Sequence, residues 1–390
     1  VTRVWSNPQR LRAVLVLAVG AVLTGLVMLL AVTDPLRQLE LDTVDARFGL
    51  RGNQPPPRDI VDVNIDARTF QALQEQWPFP RKIHARVIDE LRRAGAKAIA
   101  YDVQFTEPTT PRQDEALMSA VGRAKGRIVL ATSEVNEFGE SAIFGGEATL
   151  KSLGARSGNA LFTPDADGII RRIPTKVDGL KSLALATAEV AERRPISAAE
   201  LGGTSPWIDF HGEPGTVTSV SLSDVYDGRV DRALFRDKVV VVGATATSLQ
   251  DDTPTSAAAE EPMSGVETHA NGISTILRGT PLDEAGMGIR LALVALLGMV
   301  VPAVAVRRRS RRGVRTFLLA MLLALGVGAI YLVAARVAFG AGLILPIVYP
   351  LLALFVSMVG VAQVELTTTV IERDRVRERF ARFVPERIVD

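Results

Sequence analysis

Four stretches of this 390-residue chain are apolar enough to cross a bilayer, and they restrict its architecture more than any other feature. Residues 13–33 (AVLVLAVGAVLTGLVMLLAVT) carry no charge and match the ~20 residues a spanning helix needs. Three further runs, 287–306, 316–335 and 341–363, are broken only by Gly, Pro or an end-placed charge such as Arg290 or Arg336. Soluble helices of that length usually keep a polar face, and these have none. A cleavable signal peptide would also suit the basic leader 1–12, with Arg3, Arg10 and Arg12. The first run is longer than an h-region, however, and no A-x-A site closes it, which favours an uncleaved anchor. The mean hydropathy of +0.21 beside 45 basic and 43 acidic residues then reflects concentration of apolar residues in these runs.

The loop 307–315 fixes the expected orientation. Arg307, Arg308, Arg309, Arg311, Arg312 and Arg315 place six arginines in nine residues between the second and third runs. The positive-inside rule puts such a short loop in the cytosol. Wedged between spans it has no room to form a groove, so no nucleic-acid partner is expected. Four spans then leave both termini cytoplasmic and residues 34–286 outside. The expected partner is the lipid bilayer of a cell inner (plasma) membrane. Cysteine is absent, so the outer part must stand without disulfides or thiolate metal sites.

The outer segment reads as an α/β domain with a mainly parallel sheet. DIVDVNID is a β-branched strand, and RKIHARVIDELRRAGAK follows with Ile83, Val87, Ile88 and Leu91 on one helical face and Gly95 as a stop. AIAYDVQF is the next strand, and strand–helix–strand implies a right-handed parallel crossover. Residues 114–125 and RIVLATS repeat the pattern. GNALFTPDADGIIRRIP reads as two short strands joined at Asp165–Gly168. An EF-hand fails there, because Ile169 and Lys176 occupy positions that require ligands. A helix is expected at about 181–193, short strands near WIDF, a helical turn at SLSDVYDG, a buried central strand at KVVVVGA and a closing helix over 264–279.

No catalytic residue is assigned and no metal site or cofactor is expected in this chain. It has three histidines and no H-E-x-x-H, G-x-S-x-G, P-loop or G-x-G-x-x-G. Asp66 and Asp102 each end a predicted parallel strand, where ligands of open α/β sheets bind. Each serves equally well as a cap on the following turn. Trp77 and Arg81, either side of Pro78, Phe79 and Pro80, join them as ligand-binding candidates, although two prolines around an aromatic make a rigid turn in any case. Arg171 and Arg172 could meet an anion, but on an exposed strand they would be solvated. His269 reads as a surface or packing residue.

The motifs DIVDVNID, WPFPR, LRRAGAKAIAYDVQF, DADGIIRRIP, KVVVVGATATSLQDDTPTS and GVETHANGISTILRG, in this order and followed by three spans, resemble the type-two CHASE sensory domain (cyclases/histidine kinases associated sensory extracellular). The resemblance covers roughly residues 36–363. It implies a bacterial receptor: one span, an extracytoplasmic sensor for an unknown ligand, three spans and a cytoplasmic output domain. Residues 364–390 form the expected signalling helix, with Leu366, Val376, Phe380 and Phe383 near coiled-coil spacing, although Thr369 and Arg373 interrupt the seam. A solvated juxtamembrane helix is an equal reading. FARFVPERIVD resembles the segment leading into class III cyclases, which favours an adenylate/guanylate cyclase over a histidine or serine/threonine kinase. A cyclase would bring Mg or Mn and its catalytic residues beyond Asp390, and its site would form between two chains, so a homodimer is expected. A structural or transport membrane protein is the remotest alternative.

Overall fold

The computed structural model describes residues 8–258, 261–307 and 313–381. The chain divides into an α/β unit, Asp45–Asp283, and a helical unit, Val1–Val44 with Glu284–Asp390. Helices α1 (Pro8–Thr33) and α2 (Arg37–Arg51) come first. Then follow β1 (Ile60–Ile65), α3 (Ala67–Leu73), α4 (Arg81–Arg93), β2 (Ala98–Asp102), α5 (Pro111–Arg123), β3 (Ile128–Thr132), α6 (Gly146–Leu153) and β4 (Arg156–Asn159). After the small hairpin β5 (Lys176–Val177) and β6 (Leu180–Lys181) come α7 (Leu183–Glu192), β7 (Ser219–Ser221), α8 (Leu222–Tyr226) and β8 (Val239–Ala244). The short strands β9 (Asp252–Thr253) and β10 (Met263–Ser264) lead into α9 (Gly265–Leu277).

Six strands make one sheet in the order β4-β3-β2-β8-β1-β7, with every neighbouring pair parallel. The expected mainly parallel sheet is therefore present, with VVVVGA at its centre. Alternation along the strands sorts the two faces. Val61, Val63, Ile65, Ile99, Tyr101, Leu130, Val240 and Val242 form one core with Ile83, Val87, Ile88 and Leu91 of α4 and Leu117 and Val121 of α5. The other face carries smaller residues and takes α7 and α9. Gly158 shows how tightly: an added Cβ would lie 2.7 Å from the Leu183 backbone.

Two strand expectations need correction. WIDF forms no strand among the described residues and makes only an isolated bridge at Trp207. The turn at 165–168 forms, with Gly168 N–H donating to the Asp165 carbonyl and Asp165 N–H to the Ile169 carbonyl, both at 2.9 Å, but its flanks do not continue as a pair of strands. Ile170 and Arg172 make isolated bridges to Thr255 and Trp207 instead. Arg171, expected to be solvated, is 1% exposed. Its guanidinium donates to Asp45 at 2.6 and 3.0 Å, to Asp167 at 2.7 and 3.0 Å and to Asp165 at 2.9 Å. The carboxylates of the D-x-D-G turn thus hold an arginine.

In the helical unit, α1 packs with α10 (Met287–Arg307) and α12 (Val348–Ala381), and α11 (Gly313–Gly340) packs on α12. Among the described residues four helical stretches are long and apolar enough to span a membrane: Gln9–Thr33, Met287–Arg307, Leu318–Gly340 and Val348–Ile371. One precedes the α/β unit and three follow it. Small residues let the helices approach, since a Cβ on Gly298 would fall on Thr24 and one on Gly360 on Leu23. Some charges within or beside these helices are paired, as low-dielectric surroundings would require. Glu365 accepts from Arg12 Nε at 2.9 Å, and Arg290 meets Asp34 and Glu284, each at 3.2 Å. Arg308, Arg309, Arg311 and Arg312 of the basic loop lie outside the described residues, as does Phe383.

Candidate functional site

The carboxyl ends of β2, β4 and β8 open onto a cavity of about 1010 Å³. This is where a parallel sheet presents unpaired chain ends and loops to a ligand. β2 contributes Asp102, its last residue, and the segment beyond it contributes Phe105. The chain leaving β4 supplies Phe162. The loop after β8 supplies Asp251, and α9 supplies His269. Trp77, Phe79 and His84 complete an aromatic side.

The packing of α9 on the sheet decides the central contact. Gly243 of β8 leaves room for Val266, whose side chain would lie 3.0 Å from any Cβ placed there. This close approach brings His269 Nε2 to 3.7 Å from Asp102 Oδ2, beyond hydrogen-bond reach. The imidazole is 3% exposed and stacks on Phe162 with ring centroids 4.3 Å apart. Its Nδ1 is buried and makes no hydrogen bond of ordinary geometry.

The other two histidines are different. His84 Nδ1 pairs with the Tyr101 hydroxyl at 2.8 Å, and His211 bridges the Pro55 carbonyl at 2.9 Å and Ser274 at 3.1 Å. Of the three histidines only His269 is left with an unanswered buried nitrogen, and such a group calls for a partner.

Burial sets the charges here. Desolvation pushes the Asp102 carboxyl up to about 7. Asp251 is raised to about 6, first by burial and then by the Asp102 charge. His269 is lowered to about 4 by burial, with Asp251 and the Ala160 backbone pulling weakly the other way. The imidazole is therefore neutral at neutral pH, beside carboxyls whose ionised forms lack a cationic answer. Among the described residues Arg81 is the only Lys or Arg in the wall. It is already committed, donating to Asp114 at 2.6 Å and to the Glu107 carbonyl, and lying over Phe105 and Phe144. Among the described residues no hydroxyl hydrogen-bonds to His269.

The four residues singled out from sequence thus have different places. Asp102, Trp77 and Arg81 line the cavity, with Arg81 acting as a fastener. Asp66 is not in the wall: its carboxylate caps α3, accepting from Thr69 N–H and Thr69 Oγ1 at 2.8 Å each and from Ser221 Oγ at 2.8 Å. Asp251 and His269 escaped sequence reasoning. Asp251 sits in an irregular loop, and His269 was read as a surface or packing residue on a helix that the fold buries almost completely. Leu366 lies on α12 with its side chain exposed, and Val376 and Phe380 fall on the same helix.

Searches of curated proteins and of solved structures returned no match. The family model for the CHASE2 domain matches residues 20–302, well over half of the chain. A CHASE2 sensor joined to helices able to span a bilayer is the make-up of a membrane sensory receptor, and the chain belongs to the CHASE2 domain family.

Proposed function

We propose that the chain is the sensory and membrane part of a receptor, and that its cue is a small organic cation with an apolar body, bound in the Asp102–Asp251–His269 cavity. The observation that carries this reading is the pairing of two half-buried carboxyls, Asp102 and Asp251, with an aromatic wall whose arginine, Arg81, is already spent. A cation entering there would answer Asp102 and Asp251 and lie against Trp77 or Phe105, where ring faces attract positive charge.

The α/β unit would lie outside the membrane and both termini in the cytosol, the orientation favoured by the arginines around 307–315. The output reading is a nucleotide cyclase using Mg or Mn, supported by FARFVPERIVD. Leu366, Val376, Phe380 and Phe383 would then set the spacing of a homodimer. The codons following Asp390 distinguish a cyclase from a kinase.

The test uses the purified chain in neutral-lipid nanodiscs and pairs of cations with neutral isosteres, such as choline with 3,3-dimethylbutanol and phenethylamine with phenylethanol. At least one cation should raise the melting temperature more than its isostere, and Asp102→Asn should abolish the difference. Equal or absent shifts across every pair would refute the cationic class.

A further inference from the structure

A second, smaller cavity of about 220 Å³ lies on the α9 side of the sheet, with oxygen-bearing side chains in its wall beside Pro214, Val217 and Pro262. It is independent of the aromatic cavity and of the ligand reading above. The strand alternation that sends Val61, Val63 and Ile65 into the main core sends Asp62 and Asn64 to the opposite face. There Asp62 is paired in register with Val241 of β8 and Asn64 with Gly243, in the interior of a parallel sheet where apolar residues are the rule.

Asp62 is 2% exposed, and its Oδ1 has no hydrogen-bond partner; the Oδ1 of Asn64 is likewise buried and unpartnered. Glu267, from the first turn of α9, faces the same space. Its two oxygens are held by the backbone N–H of Gly215 at 3.0 and 2.8 Å and by that of Val217 at 3.1 Å. A carboxylate has about four lone-pair sites, so these bonds leave acceptor capacity free. Asp252, Ser264 and Thr245 complete the oxygen-bearing wall, which contains no Lys, Arg or His.

Two buried carboxylates without a cation are costly. Burial, and then the Glu267 charge, hold the Asp62 carboxyl well above its ordinary range. The donor set of carboxylate and amide oxygens, with no nitrogen or sulfur, suits a hard cation. Its irregular arrangement suits calcium, which accepts six to eight oxygens flexibly, better than magnesium, which demands a near-ideal octahedron.

We propose that this cavity binds a calcium ion through the carboxylates of Asp62 and Glu267 and the amide oxygen of Asn64. The ion would sit behind the ligand cavity, because adjacent residues face the two spaces: Asp252 lines one and Asp251 the other, and Glu267 and His269 divide in the same way.

The experiment is calcium titration by isothermal calorimetry and thermal shift, on chelator-treated chain in phosphatidylcholine nanodiscs, with magnesium and matched potassium as controls. Wild type should bind one calcium per chain saturably and melt at higher temperature with it. Asp62→Asn should weaken binding at least a hundredfold while leaving the calcium-free protein no less stable, since a neutral amide replaces an unpaired carboxylate. Should that variant not fold, Asn64→Asp carries the test: a third carboxylate should tighten calcium binding. Wild type without saturable binding at millimolar calcium, binding that survives Asp62→Asn, or binding unchanged by Asn64→Asp would overturn the proposal, leaving a protonated Asp62 as the occupant's substitute.

Discussion

Replacing Arg171 with methionine probes the most heavily bonded charge in the α/β unit. The guanidinium is fully enclosed and makes five donor contacts to Asp45, Asp165 and Asp167, whose side chains remain 23%, 28% and 19% exposed. Removing one partner from a buried ion cluster typically costs ~3–5 kcal/mol, because the remaining charge is stranded. Here the stranded groups are carboxylates that still reach water, so the low end, about 3 kcal/mol, applies. For a unit of this size 1 kcal/mol moves the melting temperature by ~2–4 °C, giving a fall of about 6–12 °C. Tryptophan fluorescence melts of the nanodisc-held chain measure it. In an Asp45→Asn, Asp167→Asn background the same arginine replacement should lose at least half its effect, because fewer charges are stranded. A fall below about 2 °C in the single variant, or an undiminished fall in the triple variant, would refute the reasoning.

Asp102 should impose a pH dependence of known sign. Its folded value of about 7 lies above the ordinary 3.8, so the native state holds the extra proton between these limits and wild type loses stability as pH rises through that window. Asp102→Asn should therefore gain on wild type from about pH 4 to 7, by up to about 4 kcal/mol at 1.36 kcal/mol per pH unit, and level off above; a gap that narrows with rising pH contradicts this. Asp66→Ala should cost about 1 kcal/mol through loss of the α3 cap yet leave cation binding in the cavity intact, as followed by melts with and without choline. Gly158→Ala should destabilise by ~1–3 kcal/mol in the same melts, because its Cβ meets the Leu183 backbone and one of the two must shift. Periplasmic reporters fused at residue 150 and at residue 390 should be active and inactive respectively, and the reverse would overturn the proposed orientation.

Local chemistry made much of this chain legible. Four uninterrupted apolar runs and a β-branched strand followed by an amphipathic helix are short-range patterns, and they marked the spanning helices and the parallel sheet. The ordered motifs from DIVDVNID to GVETHANGISTILRG carried the family, which the CHASE2 match over residues 20–302 bears out. What could not be read locally is which strand-end carboxylate has a free task. Asp66 and Asp102 look equivalent in sequence, but Ser221, 155 residues away, helps to occupy the first, while the second lines the cavity. Arg171 sits beside Arg172 in the chain, and only the folding of α2 and the 165–168 turn around it makes it the buried member of the pair.

The sequence by itself determined most element types and the helices apolar enough to span a membrane, because these depend on hydrophobicity and on periods of two and of about 3.6 residues. Tertiary structure decided the sites. His269 and Asp102 are far apart in the chain and meet because Gly243 lets α9 settle on the sheet. The same parity of β1 that builds the core turns Asp62 and Asn64 away from it, and whether they find partners depends on what α9 brings to that face.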